Sequence, residues 1–359
     1  MTRPADLMRR EVLAQPAYAV AESAGMIKLD AMENPYAWPG ELRMAWLEAL
    51  SGVELNRYPD AGAHAVTVAI RAVHRVPEAA GCLLGNGSDE LIQILISAVQ
   101  ASGRPVLSPV PTFVMYEILA RAAGAPFVGV PLKADFDLDG PALLRALEEH
   151  RPALVFLAYP NNPTGRLYDP GLVAEVVAAN PGLTVIDEAY APFSSHSFLS
   201  RVGGASGLMV MRTMSKLGLA GLRLGYLAAT LEWTDALDRL RLPYNINALT
   251  QRSVSFALAH SELLDEQASI LREQRARVSA VLDALPGVRR VIPSNANFIL
   301  FELASGRGHP VFEFLRGSGI LIKDVGRAGG VLTDHLRVTV GTPEENRAFL
   351  AALTEALRS

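Results

Sequence analysis

Arg212-Thr213-Met214-Ser215-Lys216-Leu217-Gly218-Leu219-Ala220-Gly221-Leu222-Arg223 places one lysine straight after a hydroxyl residue, then a glycine-rich turn, then an arginine. The apolar run Gly207-Leu208-Met209-Val210-Met211 precedes it, and Leu224-Gly225-Tyr226-Leu227-Ala228 follows. Each run predicts a short buried strand, so Lys216 is expected in a loop held on a rigid frame. An amine there can lose its proton when burial or neighbours lower its pKa, and can then condense with a carbonyl as a Schiff base. Taken alone, an exposed loop lysine is the simpler reading. Its partners elsewhere in the chain decide the matter.

Towards the N-terminus, strands and helices alternate. Pro105–Ser108, Pro126–Val130, Ala153–Ala158 and Leu183–Ile186 predict strands, and 113–123, 141–149 and 170–179 predict helices between them. This is the pattern of an α/β domain around a mostly parallel sheet. Ligands of such sheets sit beyond the carboxyl ends of the strands. Two loops expected there carry chemistry. Tyr159-Pro160-Asn161-Asn162-Pro163-Thr164-Gly165 is rich in turn formers. In Asp187-Glu188-Ala189-Tyr190, a carboxylate at a buried strand end must be charged and paired, or neutral at a cost. Tyr190, three residues on, can turn its hydroxyl back towards the same pocket. Upstream, Gly85-Asn86-Gly87-Ser88-Asp89-Glu90 opens a helical run with Ser88 as a candidate N-cap. An anion-binding helix N-terminus and an ordinary capped helix both fit it.

Gly40 to Leu50 has helical spacing, and Asn56-Arg57-Tyr58-Pro59-Asp60 is expected to be extended at Tyr58. Beyond residue 230 the pattern changes. Residues 231–242 and 248–285 predict helices, followed by strand 297–302, helix 310–317 and strands 320–322 and 336–340. Thr342-Pro343-Glu344-Glu345 combines an N-cap, a first-turn proline and a capping-box glutamate at the start of the last helix. The expected organisation is an N-terminal arm (1–35) joining the small domain, a large domain (36–240) and a small C-terminal α+β domain (241–359).

The 359 residues suffice for two cored domains. A net charge of -4 argues against nucleic acid as a main partner. Cys82 is the single cysteine, so no internal disulfide can form and a reducing compartment is favoured. The polar start lacks the core of a signal peptide, and no apolar run reaches the roughly 20 residues of a membrane span. A cytoplasmic protein is expected. The seven histidines are scattered without zinc-like spacing, so no metal is expected.

Collected, these parts match the needs of pyridoxal phosphate: a lysine for the aldehyde, a carboxylate for the ring nitrogen, donors at the phenolic oxygen, a phosphate cup and a stacking ring. Lys216 and Asp187 would serve the first two. Tyr190 and Asn162 would serve the phenolic oxygen. Ser215, Arg223 and the N–H groups of Ser88 and Asp89 would hold the phosphate, and Phe113 would stack on the ring.

The set Asn162-Pro163-Thr164-Gly165, Asp187-Glu188-Ala189-Tyr190 and Ser215-Lys216…Arg223 resembles the fold-type-I aminotransferases of class I/II. That fold has a large domain with a mostly parallel seven-stranded sheet and a smaller α+β domain. Within the class the chain is most similar to the histidinol-phosphate aminotransferases. The finer marks are Asn56-Arg57-Tyr58-Pro59-Asp60, Tyr244-Asn245-Ile246-Asn247, Asn295-Ala296-Asn297-Phe298 and Leu336-Arg337-Val338-Thr339-Val340-Gly341-Thr342-Pro343. The resemblance implies a homodimer in which Tyr58 reaches the cofactor phosphate of the other subunit. It gives Arg337 the substrate's carboxylate or phosphate, and it puts Tyr18 and Asn34 at the substrate pocket. For Tyr18, a packed arm residue is the alternative. The reaction implied interconverts L-histidinol phosphate and 2-oxoglutarate with imidazole-acetol phosphate and L-glutamate through a Lys216 aldimine, in histidine biosynthesis. Threonine-phosphate decarboxylase and aromatic amino-acid aminotransferase are the alternatives on the same fold.

Overall fold

Leu154-Val155-Phe156-Leu157-Ala158 has no polar side chain, and every residue of it is buried. That is the composition of a strand covered on both faces. It lies within a seven-stranded sheet whose order is Ala80–Gly85, Gly225–Thr230, Leu208–Thr213, Leu183–Asp187, Leu154–Ala158, Val106–Val110, Phe127–Pro131. Neighbours are parallel, except that Gly225–Thr230 runs antiparallel to the strands on both its sides. The remaining strands therefore deliver their carboxyl ends to one edge. The computed structural model describes residues 2–15, 17, 20–204 and 207–358.

The crossover helices start where the sequence supplies caps. Asp139 accepts the N–H of Ala142 at 3.0 Å, and Asp169 that of Leu172 at 2.8 Å, each with a proline in the first helical positions. The helix Ser88–Val99 starts differently from expectation. Gly87 occupies the cap position and Ser88 is the first helical residue, because only glycine takes the φ of +83° that the turn needs there at no steric cost.

Several elements were not anticipated, among them the strand Val288–Val291, the helix His64–His74 and the strand Ala80–Gly85. The helix His64–His74 is rich in β-branched residues, which disfavour helix, but burial of Val66 and Ile70 on one face overrides that preference. The strand Ala80–Gly85 carries two glycines. A Cβ on Gly81 would come within 2.0 Å of the Thr234 hydroxyl, so the close approach of a helix requires the gap. The expected helix over 248–285 is two helices, Ala248–Ala259 and Ser261–Ala284, broken at His260, whose φ of -120° is not helical. The one expected over 231–242 stops at Asp238.

A four-stranded antiparallel sheet, in the order Lys323–Asp324, His335–Thr339, Phe298–Leu303, Val288–Val291, forms the second layer system. Its core is built from Phe298, Phe301, Leu336 and Phe349 among others. The last helix, Pro343–Arg358, opens on a reciprocal capping box. Thr342 N–H donates to Glu345 at 2.8 Å, and Glu345 N–H donates to the Thr342 hydroxyl at 3.2 Å. The N-terminal segment pairs in parallel with the chain just before this sheet, Ile27 opposite Ile320 and Lys28 opposite Leu321.

Candidate functional site

The carboxyl-terminal edge of the large sheet opens into a cavity of about 420 Å3. Ser88, Asp89, Phe113, Asn162, Asp187, Tyr190, Ser215, Lys216 and Arg223 all line it. They arrive from the ends of five strands or from the turns that follow them, which is why residues far apart in sequence converge here.

Lys216 sits in a tight 3-10 turn, Ser215–Leu217, directly after the strand Leu208–Thr213. Thr213 fixes the turn: its hydroxyl accepts Ser215 N–H at 3.1 Å and donates to the Ser215 hydroxyl at 2.9 Å. The Lys216 amine donates to the Ala31 carbonyl at 3.2 Å. Burial, then the nearby Arg337 guanidinium, pulls its pKa from the ordinary lysine range down to about 8.

Asp187 ends its strand and is buried. Burial raises its carboxyl to about 6, although the donors on it pull the other way. Oδ2 accepts the Tyr116 hydroxyl at 2.6 Å, and Oδ1 accepts Ala189 N–H at 3.1 Å. Tyr190 is buried with its ring edge-on to Phe298, and burial holds its phenol far above the usual range.

At another end of the cavity Arg223 donates to the Ser215 hydroxyl at 3.5 Å and to Asp89 at 3.3 Å. It stands beside the N-terminus of the helix Ser88–Val99. A Cβ on Gly87 would come within 2.6 Å of Arg223 Nη2, and one on Gly225 within 2.9 Å of the Ser88 nitrogen. Backbone N–H, a hydroxyl and a guanidinium thus meet around space that only glycines leave open, the donor set of an anion cup.

Arg337, on the strand His335–Thr339, is buried and donates to Asn162 Oδ1 and, at 2.8 Å, to the Asp30 carbonyl. It reaches the cavity's edge through Asn162. Asn34 is not among the lining residues. Its carboxamide donates to Gln267 at 2.9 Å and to the Leu217 carbonyl at 3.5 Å, behind the lysine turn. Tyr58 is 81% exposed, stacked on Tyr244 at 4.5 Å and absent from this chain's cavity. Tyr18 lies outside the described residues.

The segment Leu29–Met32 forms a clasp that the sequence did not reveal. Four successive carbonyls are taken by four different donors: Leu29 by Thr339 N–H, Asp30 by Arg337, Ala31 by Lys216 and Met32 by the Asn297 carboxamide. Tyr116 was also missed. Its spacing of three from Phe113, one helical turn, was the available signal. Among the described residues, no group of His, Cys, Asp and Glu is placed to hold a metal ion, and no helix is long and apolar enough to cross a membrane.

The sequence matches the family model for aminotransferase class I and II over residues 24–353. It is 49% identical over 351 residues to histidinol-phosphate aminotransferase 2 of Nitrosococcus oceani, covering 98% of this chain and 97% of that protein. It is 50% identical over 358 residues to histidinol-phosphate aminotransferase 2 of Burkholderia pseudomallei, covering 99% and 100%. Among solved structures, histidinol-phosphate aminotransferase from Sinorhizobium meliloti in complex with pyridoxal-5'-phosphate matches with a TM-score of 0.88 at 24% identity, over 98% of each chain. L-threonine-O-3-phosphate decarboxylase from Porphyromonas gingivalis matches with a TM-score of 0.79 at 22% identity, over 93% of this chain and 100% of that one. The likeness to those two structures is one of fold.

Proposed function

The chain belongs to the class I and II aminotransferases, and from that premise we propose that it transfers an amino group between L-histidinol phosphate and 2-oxoglutarate in histidine biosynthesis. The observation that carries the proposal is the meeting of Lys216 and Asp187 in one cavity, in a chain about half identical to histidinol-phosphate aminotransferases. The enzyme works with pyridoxal 5'-phosphate, and the cavity's residues fit that group. An amine and a buried carboxylate line one space with the glycine-bounded anion cup, and Phe113 lines it too.

Lys216 would hold the aldehyde carbon, Asp187 the ring nitrogen, Tyr190 and Asn162 the phenolic oxygen, and the N–H groups of Ser88 and Asp89 with Ser215 and Arg223 the phosphate end. When bound, the cofactor supplies an electron-accepting ring conjugated to the substrate's amine-bearing carbon. Lys216, with its pKa near 8, is partly neutral at physiological pH and can take the proton from the substrate's α-carbon and return it as the acceptor is aminated. Arg337, by occupying Asn162 Oδ1, turns the Asn162 N–H groups to the other side, where they can donate. The Arg337 guanidinium would bind the carboxylate of glutamate or the phosphate of the other substrate.

The proposal includes a homodimer. Leu55, Tyr58, Tyr244 and Leu249 are exposed and line one shallow groove, the kind of apolar surface that association covers. Tyr58 would then reach the phosphate end of the partner's cavity. Tyr18 and Asn34 stand in the proposal as substrate-side residues, Asn34 acting through the lysine turn it touches. A cytoplasmic location accords with the lone Cys82.

A donor and acceptor screen on purified, cofactor-loaded protein tests this. Glutamate formation from L-histidinol phosphate and 2-oxoglutarate, exceeding that from aromatic amino acids, is expected. Carbon dioxide release from threonine phosphate, or a preference for phenylalanine or tyrosine, would overturn the substrate assignment.

A further inference from the structure

Tyr116 lines the cavity beside Asp187 and is fully buried. Its ring is gripped from two sides. It stacks on Phe156 at 4.5 Å and 2°, and it meets Phe113 edge-on at 5.6 Å and 86°. The hydroxyl is therefore delivered to one place, 2.6 Å from Asp187 Oδ2. With Ala189 N–H on Oδ1, each carboxylate oxygen has one donor and keeps a lone pair to offer.

We propose that Tyr116 is a positioning residue for the Asp187 carboxylate, fixing one oxygen and keeping the group ionised so that it accepts a pyridinium N–H. The inference rests on pyridoxal 5'-phosphate as the group in the cavity. Burial favours the neutral carboxyl, and Asp89 and Glu188 push the same way. The Tyr116 hydroxyl and Ala189 N–H oppose them, because a hydrogen bond to the charged form favours it. Tyr190 is the other titratable group facing Asp187, and it too is neutral. Lys216 and Arg223 share the cavity and Arg337 adjoins it; they donate to Ala31, to Ser215 and Asp89, and to Asn162 and Asp30 respectively.

A phenol suits the task for a reason of charge. Histidinium or lysine would also hold the carboxylate, but would place a cation against the ring N–H. Tyr116 is held far above its ordinary range by burial and by Asp187 itself, so it remains an uncharged donor at every working pH. Phe113 and Tyr116 then form one unit at the start of the helix Met115–Ala123. One lines the cavity where the cofactor ring would lie, and the other orients the acid that the ring nitrogen meets.

Tyr116→Phe keeps the stack on Phe156 and removes only the hydroxyl. In cofactor-free protein, the 13C signal of the Asp187 carboxyl should titrate at higher pH than in the parent. In the loaded protein, the ring 15N signal should move towards the unprotonated position, and the dissociation constant for pyridoxal 5'-phosphate should rise about tenfold or more. An unchanged Asp187 titration with a fully protonated ring nitrogen would overturn the proposal. So would a lower urea midpoint with both signals unmoved, since that is what a purely packing role predicts. Were the parent to bind no cofactor, the functional assignment would fail, and the Asp187 titration would still decide whether Tyr116 holds this carboxylate ionised.

Discussion

Glu188 and Arg212 are locked together next to the cavity. Glu188 Oε2 accepts Arg212 Nε at 2.9 Å and Nη2 at 2.7 Å, and the carboxylate is 1% exposed. Ser197 donates to the same oxygen at 2.8 Å, and Phe198 N–H donates to the other. The pair joins adjacent strand ends, one leading to Asp187-Glu188 and the other to the lysine turn. Glu188→Gln leaves Arg212 buried without its counter-charge and should cost about 3–5 kcal/mol. Urea unfolding of the cofactor-free protein checks this, and a loss under about 1 kcal/mol would show that the pair contributes little.

Lys216→Ala should still admit the cofactor but lose turnover by at least on the order of 10³-fold. The protein should lack the absorbance band of covalently held cofactor. Near-normal turnover would remove Lys216 from the reaction.

The Lys216 value near 8 gives a pH signature. Only the neutral amine attacks a carbonyl, so cofactor capture by stripped protein should quicken about tenfold per pH unit below 8 and level off above it. Stopped-flow absorbance measures this. A rate still climbing at pH 10 would place the amine in its ordinary, exposed state.

His74 predicts an acid weakness. Its Nδ1 lies 3.0 Å from the Tyr226 hydroxyl, and burial, then Arg212, pushes its pKa down from 6.5 to about 4. The unfolded chain takes up this proton near 6.5 and the folded one only near 4. Stability is therefore whole above 6.5 and is lost as pH falls towards 4, by about 3 kcal/mol. His74→Gln should flatten the curve of stability against pH across that window. Asp187 runs the opposite way in stripped protein, its raised value favouring the fold at low pH, but it is common to both proteins.

Tyr58→Ala should fold normally, because the side chain is mostly exposed, yet lose activity if it serves a partner's site. Mixed with Lys216→Ala and re-equilibrated, the two inactive proteins should regain part of the activity, since one site of the mixed dimer has both residues intact. No recovery, with mixed dimers demonstrated, would place Tyr58 outside the site.

Much of this arrangement was legible in the sequence because it rests on local chemistry. Continuous apolar runs gave the inner strands, Thr342-Pro343 marked a helix start, and the motif residues fell at strand ends. What escaped depends on tertiary contact. The helix His64–His74 is a helix through what it buries, and the strand Ala80–Gly85 exists through its partner Gly225–Thr230. The Tyr116–Asp187 bond joins residues 71 apart, and no local pattern announces it. Asn34, which the resemblance puts at the pocket, meets the lysine turn from behind, and its carboxamide also donates to Gln267, a residue no motif had singled out.

The clasp over Leu29–Met32 bears on how the lysine can move. Of its four carbonyls only that of Ala31 rests on the Lys216 amine. Leu29 and Asp30 are held by Thr339 and Arg337, and Met32 by Asn297, all from the chain around the antiparallel sheet. The amine can therefore swing away and return while its three neighbours keep the latch shut, so the lysine's mobility does not loosen the wall beside it.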